Sequence, residues 1–265
     1  MQIDKAVVPV SNIEYSYGFG VYETIRVSNN VIYFLEDHSQ RLIDSAQIIS
    51  LEHSFSESFV RQSIQELVKK SDAGTYNLKL LLIGGPTKSE ASLYILCLSP
   101  FFPDRKLYKN GASFITYNYE RAFPHAKTLN MLQSYMAYRK ARENNSYDAL
   151  LVNRRGYITE GSRTNFFCVN KNKIVSPLED DILLGVMRKV VLKVAIQNGI
   201  EIICKDIRPS DIKNYEAAFV TSTSSKIIPV KSIDNVPIGP LSPTLEMLIN
   251  KCNQFLSSCS DGKMC

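Results

Sequence analysis

The chain has 265 residues, 45% of them hydrophobic and 22% charged, with a formal net charge of +5 at pH 7, the values of a soluble globular protein with one large core or two modest ones. Its basic residues are scattered, and the densest runs, Lys69-Lys70 and Arg154-Arg155, read as solvated helix and turn positions, against a nucleic-acid partner. No stretch approaches the roughly 18 apolar residues that span a bilayer, Asp4 interrupts an N-terminal run too short for a signal segment, three histidines do not make a histidine-rich metal site, and six cysteines without C-x-x-C spacing read as reduced thiols of a cytoplasmic protein.

Residues 17–35, YGFGVYETIRVSNNVIYFL, open with glycines and continue as two β-rich runs split at Asn29-Asn30, which predicts a hairpin. Residues 36–49 place Leu42, Ala46 and Ile49 at helical spacing. Residues 56–70, with Phe59, Ile64, Leu67 and Val68, predict a second amphipathic helix whose terminal lysines suit its dipole. Strands are expected at 78–83 and 92–98, around the break Gly84-Gly85-Pro86, and again at 112–117. The polar and aromatic stretch 119–126, YERAFPHA, is the candidate linker between two α+β halves.

A helix is expected over 128–143, with Leu129, Leu132, Tyr135 and Met136 on one side. Two hairpins follow: 147–152 with 157–159, turning on Asn153-Arg154-Arg155-Gly156, and 165–169 with 173–176, turning on Lys171-Asn172. A helix over 186–198 begins after Gly185 and stops at Gly199, a C′ glycine. Strand 200–204, a short helix near 209–214, strand 217–221 and a helix over 243–256 complete the pattern, and residues 257–265 read as frayed.

Several residues could carry chemistry. Lys127, placed by this reading at a helix start beside apolar residues, sits where a positive helix terminus and partial burial lower an amine's pKa, the setting of a Schiff-base lysine. An exposed lysine on a first helical turn is the plainer alternative. Gly185 before a helix offers free backbone N–H groups to a phosphate. The hydroxyls of Thr221-Ser222-Thr223-Ser224-Ser225 could hold a phosphate or cap a turn. Glu160, at the end of a strand, has a solvent-facing role as its ordinary alternative.

The order of these signals resembles a family. EGSRTNFF (160–167), IVS (174–176) and LLGVMR (183–188) are similar to the class IV aminotransferase signature, with Ser176 where threonine is usual. YGFGVYETIRV (17–27), HSQRLIDSA (38–46), KTLNML (127–132) and TSTSSKIIPV (221–230) extend the resemblance from about residue 17 to 250. It implies an α+β, two-domain fold type IV enzyme, like D-amino-acid aminotransferase, that binds pyridoxal 5'-phosphate in an interdomain cleft and works as a homodimer. The implied domains are 1–118, a linker 119–126, and a barrel-like 127–265.

The resemblance also implies roles. Lys127 would hold the cofactor and shuttle the proton at the substrate Cα. Glu160 would pair with the pyridine nitrogen, and Asn165 would orient the loop behind it. Arg41 would supply a fork of donors to the cofactor phosphate, completed by the amides of Val186 and Met187 with Ser222 and Thr223. Leu183 would pack on one ring face. Tyr17 would help wall the site, and recognition of the substrate carboxylate would fall to Lys79, Arg26, Arg121 or backbone amides, with Arg121, just before Lys127, the most attractive.

Three branches share this apparatus: branched-chain aminotransferases, D-amino-acid aminotransferases and 4-amino-4-deoxychorismate lyases. The branched-chain tyrosine five residues after the lysine is Leu132 here, and the arginine and histidine of D-amino-acid members are absent from Gly84-Gly85-Pro86-Thr87-Lys88. Leu78-Lys79 resembles some lyases, but the arginine and glycine-rich loop common after that strand in lyases is missing. Amino-acid transamination is the leading reading, with the lyase second and a catalytically silent relative third. No metal and no membrane enters any of them.

Overall fold

Asn29 and Asn30 adopt the left-handed conformation, with φ of 49° and 63°, so the chain reverses sharply between two strands. In the computed structural model, which describes residues 7, 11–71, 74–99, 102–239 and 241–259, the chain divides into two compact units: 1–101 with 125–131 and 259–265, and 102–124 with 132–258.

The first unit contains α1 (Ile13–Ser16), β1 (Gly20–Ser28), β2 (Val31–Ile32), α2 (Leu35–Ile48), α3 (Glu57–Lys69), β3 (Thr75–Ile83) and β4 (Ser92–Leu98). Its antiparallel sheet has the order β2-β1-β3-β4. Strand alternation sends Val21, Ile25 and Val27 of β1 and Leu78, Leu80 and Leu82 of β3 to one face, where Leu42, Ala46, Val60 and Ile64 of α2 and α3 complete a core. Ser56 caps α3 by accepting the N–H of Phe59 at 3.1 Å. The second hairpin arm is shorter than expected, because β2 pairs only with Val27 and Ser28.

Another segment joins the edge of β1 nearer its start. The N–H of Tyr22 donates to the Lys127 carbonyl at 2.9 Å, and that of Leu129 to the Gly20 carbonyl at 2.8 Å. These bonds correct the expected helix over 128–143. Backbone committed to a strand edge cannot also form a helical turn, and the helix starts at Leu132.

The second unit contains α4 (Arg105–Asn110), β5 (Ala112–Asn118), α5 (Leu132–Glu143), β6 (Asp148–Val152), β7 (Ile158–Gly161), β8 (Asn165–Asn170), β9 (Lys173–Ser176), α6 (Val186–Gln197), β10 (Glu201–Cys204), β11 (Ala217–Ser222), β12 (Lys226–Ile233) and β13 (Val236–Pro237), with α7 (Pro243–Cys259) running to its end. The strand order is β10-β9-β8-β11-β12-β5-β6-β7, and β7 also pairs with β8. That last pairing closes β8, β11, β12, β5, β6 and β7 into a ring. Phe114, Leu150, Val152, Phe166, Cys168, Val220, Ile228 and Val230 fill its interior, as in other small barrels. Strand β5, expected in the first domain, lies parallel to β6 and β12 in this sheet.

Helix α5 buries Ser134, Ala137 and Ala141 and exposes Leu132, Tyr135 and Met136, the reverse of the expected face. Small residues let it pack closely against Ala149 and Leu151. Cys97, Cys168, Cys204 and Cys252 are free thiols, but Cys259 is disulfide-bonded, against the reading of all six as reduced. Among the described residues no helix is long and apolar enough to cross a membrane, and no cluster of potential metal ligands is present.

Candidate active site

Lys127 emerges from the strand-like segment beside β1 rather than from a helix end. Both its backbone groups are engaged: the carbonyl by Tyr22, and the N–H by Ser45 Oγ of α2 at 3.1 Å. Its Nζ lies 4.5 Å from the centroid of the Tyr22 ring, and Lys79 Nζ lies 3.5 Å from the same centroid. Two amines therefore share one aromatic seat on the sheet face opposite the core. Burial, and then the nearby charge of Lys127, lower the Lys79 ammonium to a pKa of about 8, with Glu23 opposing. Arg26 lies on the same face as Tyr22 and Lys79, and Tyr17 is exposed just after α1.

Arg41 and Ser45 stand one turn apart on α2, and His38 stands one turn before them. Arg41 Nε donates to Glu23 Oε1 at 2.6 Å and Nη2 to Oε2 at 2.9 Å, while His38 Nδ1 donates to Oε2 at 2.7 Å. Burial alone would raise the Glu23 carboxyl, but Arg41 and His38 hold it well below the usual carboxylate range. Burial pushes the His38 pKa down, with Glu23 opposing. The fork of Arg41 is thus held in one orientation by a core carboxylate.

In the second unit the residues gather around Asn165. It pairs with Glu160 across β7 and with Thr221 across β11, so these three side chains share a face. Asn165 Nδ2 donates to the Leu183 carbonyl at 2.7 Å. Glu160 is buried. Its Oε1 accepts from Arg121 Nη1 at 3.1 Å, and its Oε2 from the Leu183 N–H at 3.3 Å. Helix α6 then starts at Val186 and Met187 behind Gly185, with no side chain capping its N-terminal N–H groups.

The hydroxyl of Thr221 is buried without a hydrogen-bond partner. Ser222 Oγ lies 2.6 Å from Ser225 Oγ and 3.4 Å from Ser224 Oγ, in the turn that also holds Thr223.

The sequence-expected residues therefore form two sets: Lys127, Lys79, Arg26 and Arg41 in the first unit, and Glu160, Asn165, Leu183, Val186, Met187, Ser222 and Thr223 in the second. Arg121, expected among the carboxylate-binding groups, is engaged with Glu160. Sequence reasoning passed over Tyr22, Glu23 and Ser45, and named Thr221 only as one hydroxyl of the 221–225 cluster. The spacing of His38, Arg41 and Ser45 within HSQRLIDSA, three and then four residues apart on one helical face, was the available signal.

Gly185 gives a direct check on this geometry. A Cβ there would fall 2.1 Å from Asn165 Oδ1, an atom of a buried side chain already held by Leu183. Gly185→Ala is expected to destabilise the fold by about 1–3 kcal/mol, as overpacking does, read as a lowered denaturant midpoint. An unchanged midpoint would mean that Asn165 is not fixed.

The amino-transferase class IV family matches residues 20–233. D-alanine aminotransferase of Bacillus licheniformis is 34% identical over 253 residues, covering 92% of this chain and 89% of that protein. A branched-chain aminotransferase from Thermoproteus uzoniensis, solved with norvaline, shares the fold at a TM-score of 0.87 and 26% identity, covering 97% of this chain and 92% of the other. A putative 4-amino-4-deoxychorismate lyase from Legionella pneumophila does so at 0.84 and 25%, covering 95% and 97%. With one antiparallel and one mixed sheet and a family match across most of its length, the chain belongs to the amino-transferase class IV family.

Proposed function

We propose that this class IV aminotransferase uses pyridoxal 5'-phosphate to move an amino group between an amino acid and a 2-oxo acid, as a homodimer in the cytoplasm. The observation that carries the reading is the node at Asn165, around which a buried carboxylate, an uncapped helix start and an unpartnered buried hydroxyl meet. Free N–H groups and a hydroxyl suit a phosphate dianion, and a buried acid suits a protonated ring nitrogen. The residues fit the group.

When bound, that group supplies an aldehyde for the incoming amine and a ring that takes up the electrons released at Cα. Lys127 would hold it through its amine and carry the proton at the substrate Cα. Its backbone is clamped by Ser45 and Tyr22, so the amine swings from a fixed root. Glu160 would face the ring nitrogen, with Arg121 as countercharge. The amides of Val186 and Met187, with Ser222 and Thr223, would hold the phosphate. Arg41, oriented by Glu23, would add its donors, and Leu183 would lie against the ring.

Lys79 is the favoured grip for the substrate carboxylate, ahead of Arg26 and Tyr17, because its ammonium already stands beside Lys127 over Tyr22. Its pKa of about 8 has a consequence. The positive charge is present below that pH and is lost as pH rises through it. KM for the amino donor is therefore expected to climb above about pH 8, and Lys79→Arg, which stays charged, should flatten the climb. A KM profile identical in both proteins would remove Lys79 from the site.

One observation favours the lyase as a second reading: Lys79 stands where some lyases carry lysine, and the Legionella protein shares the fold over nearly the whole chain. Incubating the loaded enzyme with D- and L-amino donors plus 2-oxoglutarate, and separately with aminodeoxychorismate, separates the two. Donor-dependent amino transfer supports the first reading. Pyruvate released without any oxo-acid acceptor would replace it with the second.

A further inference from the structure

Asp148 is a fully buried carboxylate that the roles above leave unused. It opens β6, and alternation along that strand puts it on the same side as Leu150 and Val152, facing the barrel interior. An ionised acid there must be surrounded by donors. Its Oδ1 accepts the Ser162 hydroxyl at 2.5 Å and the Ala149 N–H at 2.9 Å, its Oδ2 accepts the Thr164 hydroxyl at 3.4 Å, and the Arg163 N–H donates to it as well. Burial pushes its pKa above the usual aspartate value, while the Arg163 charge and these donors pull it back.

Three of those four donors belong to the loop 161–164, which joins β7 to β8. The loop is closed on itself by the Gly161 N–H to the Thr164 carbonyl at 2.7 Å and tied to β6 by the Ser162 N–H to the Ala149 carbonyl at 2.8 Å. Gly161 admits this packing because a Cβ would fall 2.1 Å from Thr164 Oγ1 and 3.1 Å from Asp148 Oδ2. Glu160 is the residue immediately before the loop, and Asn165 the one immediately after it. Outside the barrel the Arg163 guanidinium lies 4.0 Å from the Tyr138 ring, which pins the loop from its exposed side.

We propose that Asp148 is a positioning residue for the reaction, holding the 161–164 loop from inside the barrel so that Glu160 keeps its bearing on the cofactor ring. The inference rests on the role given above to Glu160. If Asp148 acts through Glu160, removing both must cost less than the sum of removing each.

The test is a double-mutant cycle on the apo protein titrated with pyridoxal 5'-phosphate, reading the dissociation constant and the visible absorbance maximum of the bound cofactor. Asp148→Asn should weaken binding about tenfold and move the maximum in the native background, but weaken it less than about threefold in the Glu160→Gln background. Ser162→Ala and Thr164→Val, which remove one donor each and leave the core carboxylate in place, should show the same dependence at smaller size if Asp148→Asn folds poorly. Equal losses in both backgrounds, or no loss in the first, would overturn the proposal. A Glu160→Gln protein with native affinity and spectrum would instead overturn the role of Glu160 itself.

Discussion

Lys127→Ala is expected to lower kcat by about 10⁴-fold, the upper end of what a positioned proton-transfer group contributes, and to end borohydride fixation of the cofactor to the chain. The loss should be chemical and not structural. The bonds that place residue 127 use its N–H and carbonyl, with Ser45 and Tyr22 as partners, and alanine keeps both. The variant should therefore fold with a native circular-dichroism spectrum. Lys127→Arg should keep a cation over Tyr22 and still be inactive, because a guanidinium does not give up its proton in a protein. Substantial turnover by either variant would mean that another amine carries the reaction.

The second large effect is expected at Glu160. Glu160→Gln keeps the shape but removes the charge, and it leaves one acceptor oxygen where Arg121 and the Leu183 N–H each had their own. A kcat loss of about 10²–10³-fold is predicted, the size seen when one preorganised electrostatic group is removed. The Arg121 guanidinium, itself only 16% exposed, loses its ionic partner. Breaking a buried pair on one side costs up to about 3–5 kcal/mol, with partial exposure here pointing to the lower end. Arg121→Met in the same background should recover part of that stability and none of the rate. Recovery of rate would mean that the charge of Arg121, not that of Glu160, governs the chemistry.

The secondary structure was legible wherever it was local. Asn29-Asn30 announced a turn that needs positive φ, Gly199 stopped α6 with a φ of 73°, and Leu42 and Ala46 of α2 and Ile64 and Val68 of α3 turned inward as expected, whereas Phe59 lies exposed. What escaped depended on distant partners. The apolar spacing of Leu129, Leu132, Tyr135 and Met136 read as one helical stripe. Yet Leu129 is bonded to β1, and the helix that follows buries its alanines instead. No local pattern announces that β5 will lie between β12 and β6, or that β7 will return to β8 and close the ring.

The candidate site shows the same division. Glu160 and Gly185 each looked ordinary alone, and an acid at a strand end is usually solvated. Closure of the barrel buries Glu160 and sets it beside Asn165. Arg41 and Asn165 were singled out only through the family-like blocks, and the order of those blocks gave weight to Lys127 and the 183–188 run, each weak alone. Tyr22, Ser45, Glu23 and Asp148 act by holding other residues in place. A supporting role leaves no mark on spacing or composition, and only the hydrogen bonds reveal it.

The most direct measurement is reduction of the protein loaded with pyridoxal 5'-phosphate by borohydride, followed by peptide mass mapping. The account predicts a single pyridoxyl-modified peptide, carrying its mass on Lys127. Modification of Lys79 or any other lysine in its place, or no modified peptide, would contradict it.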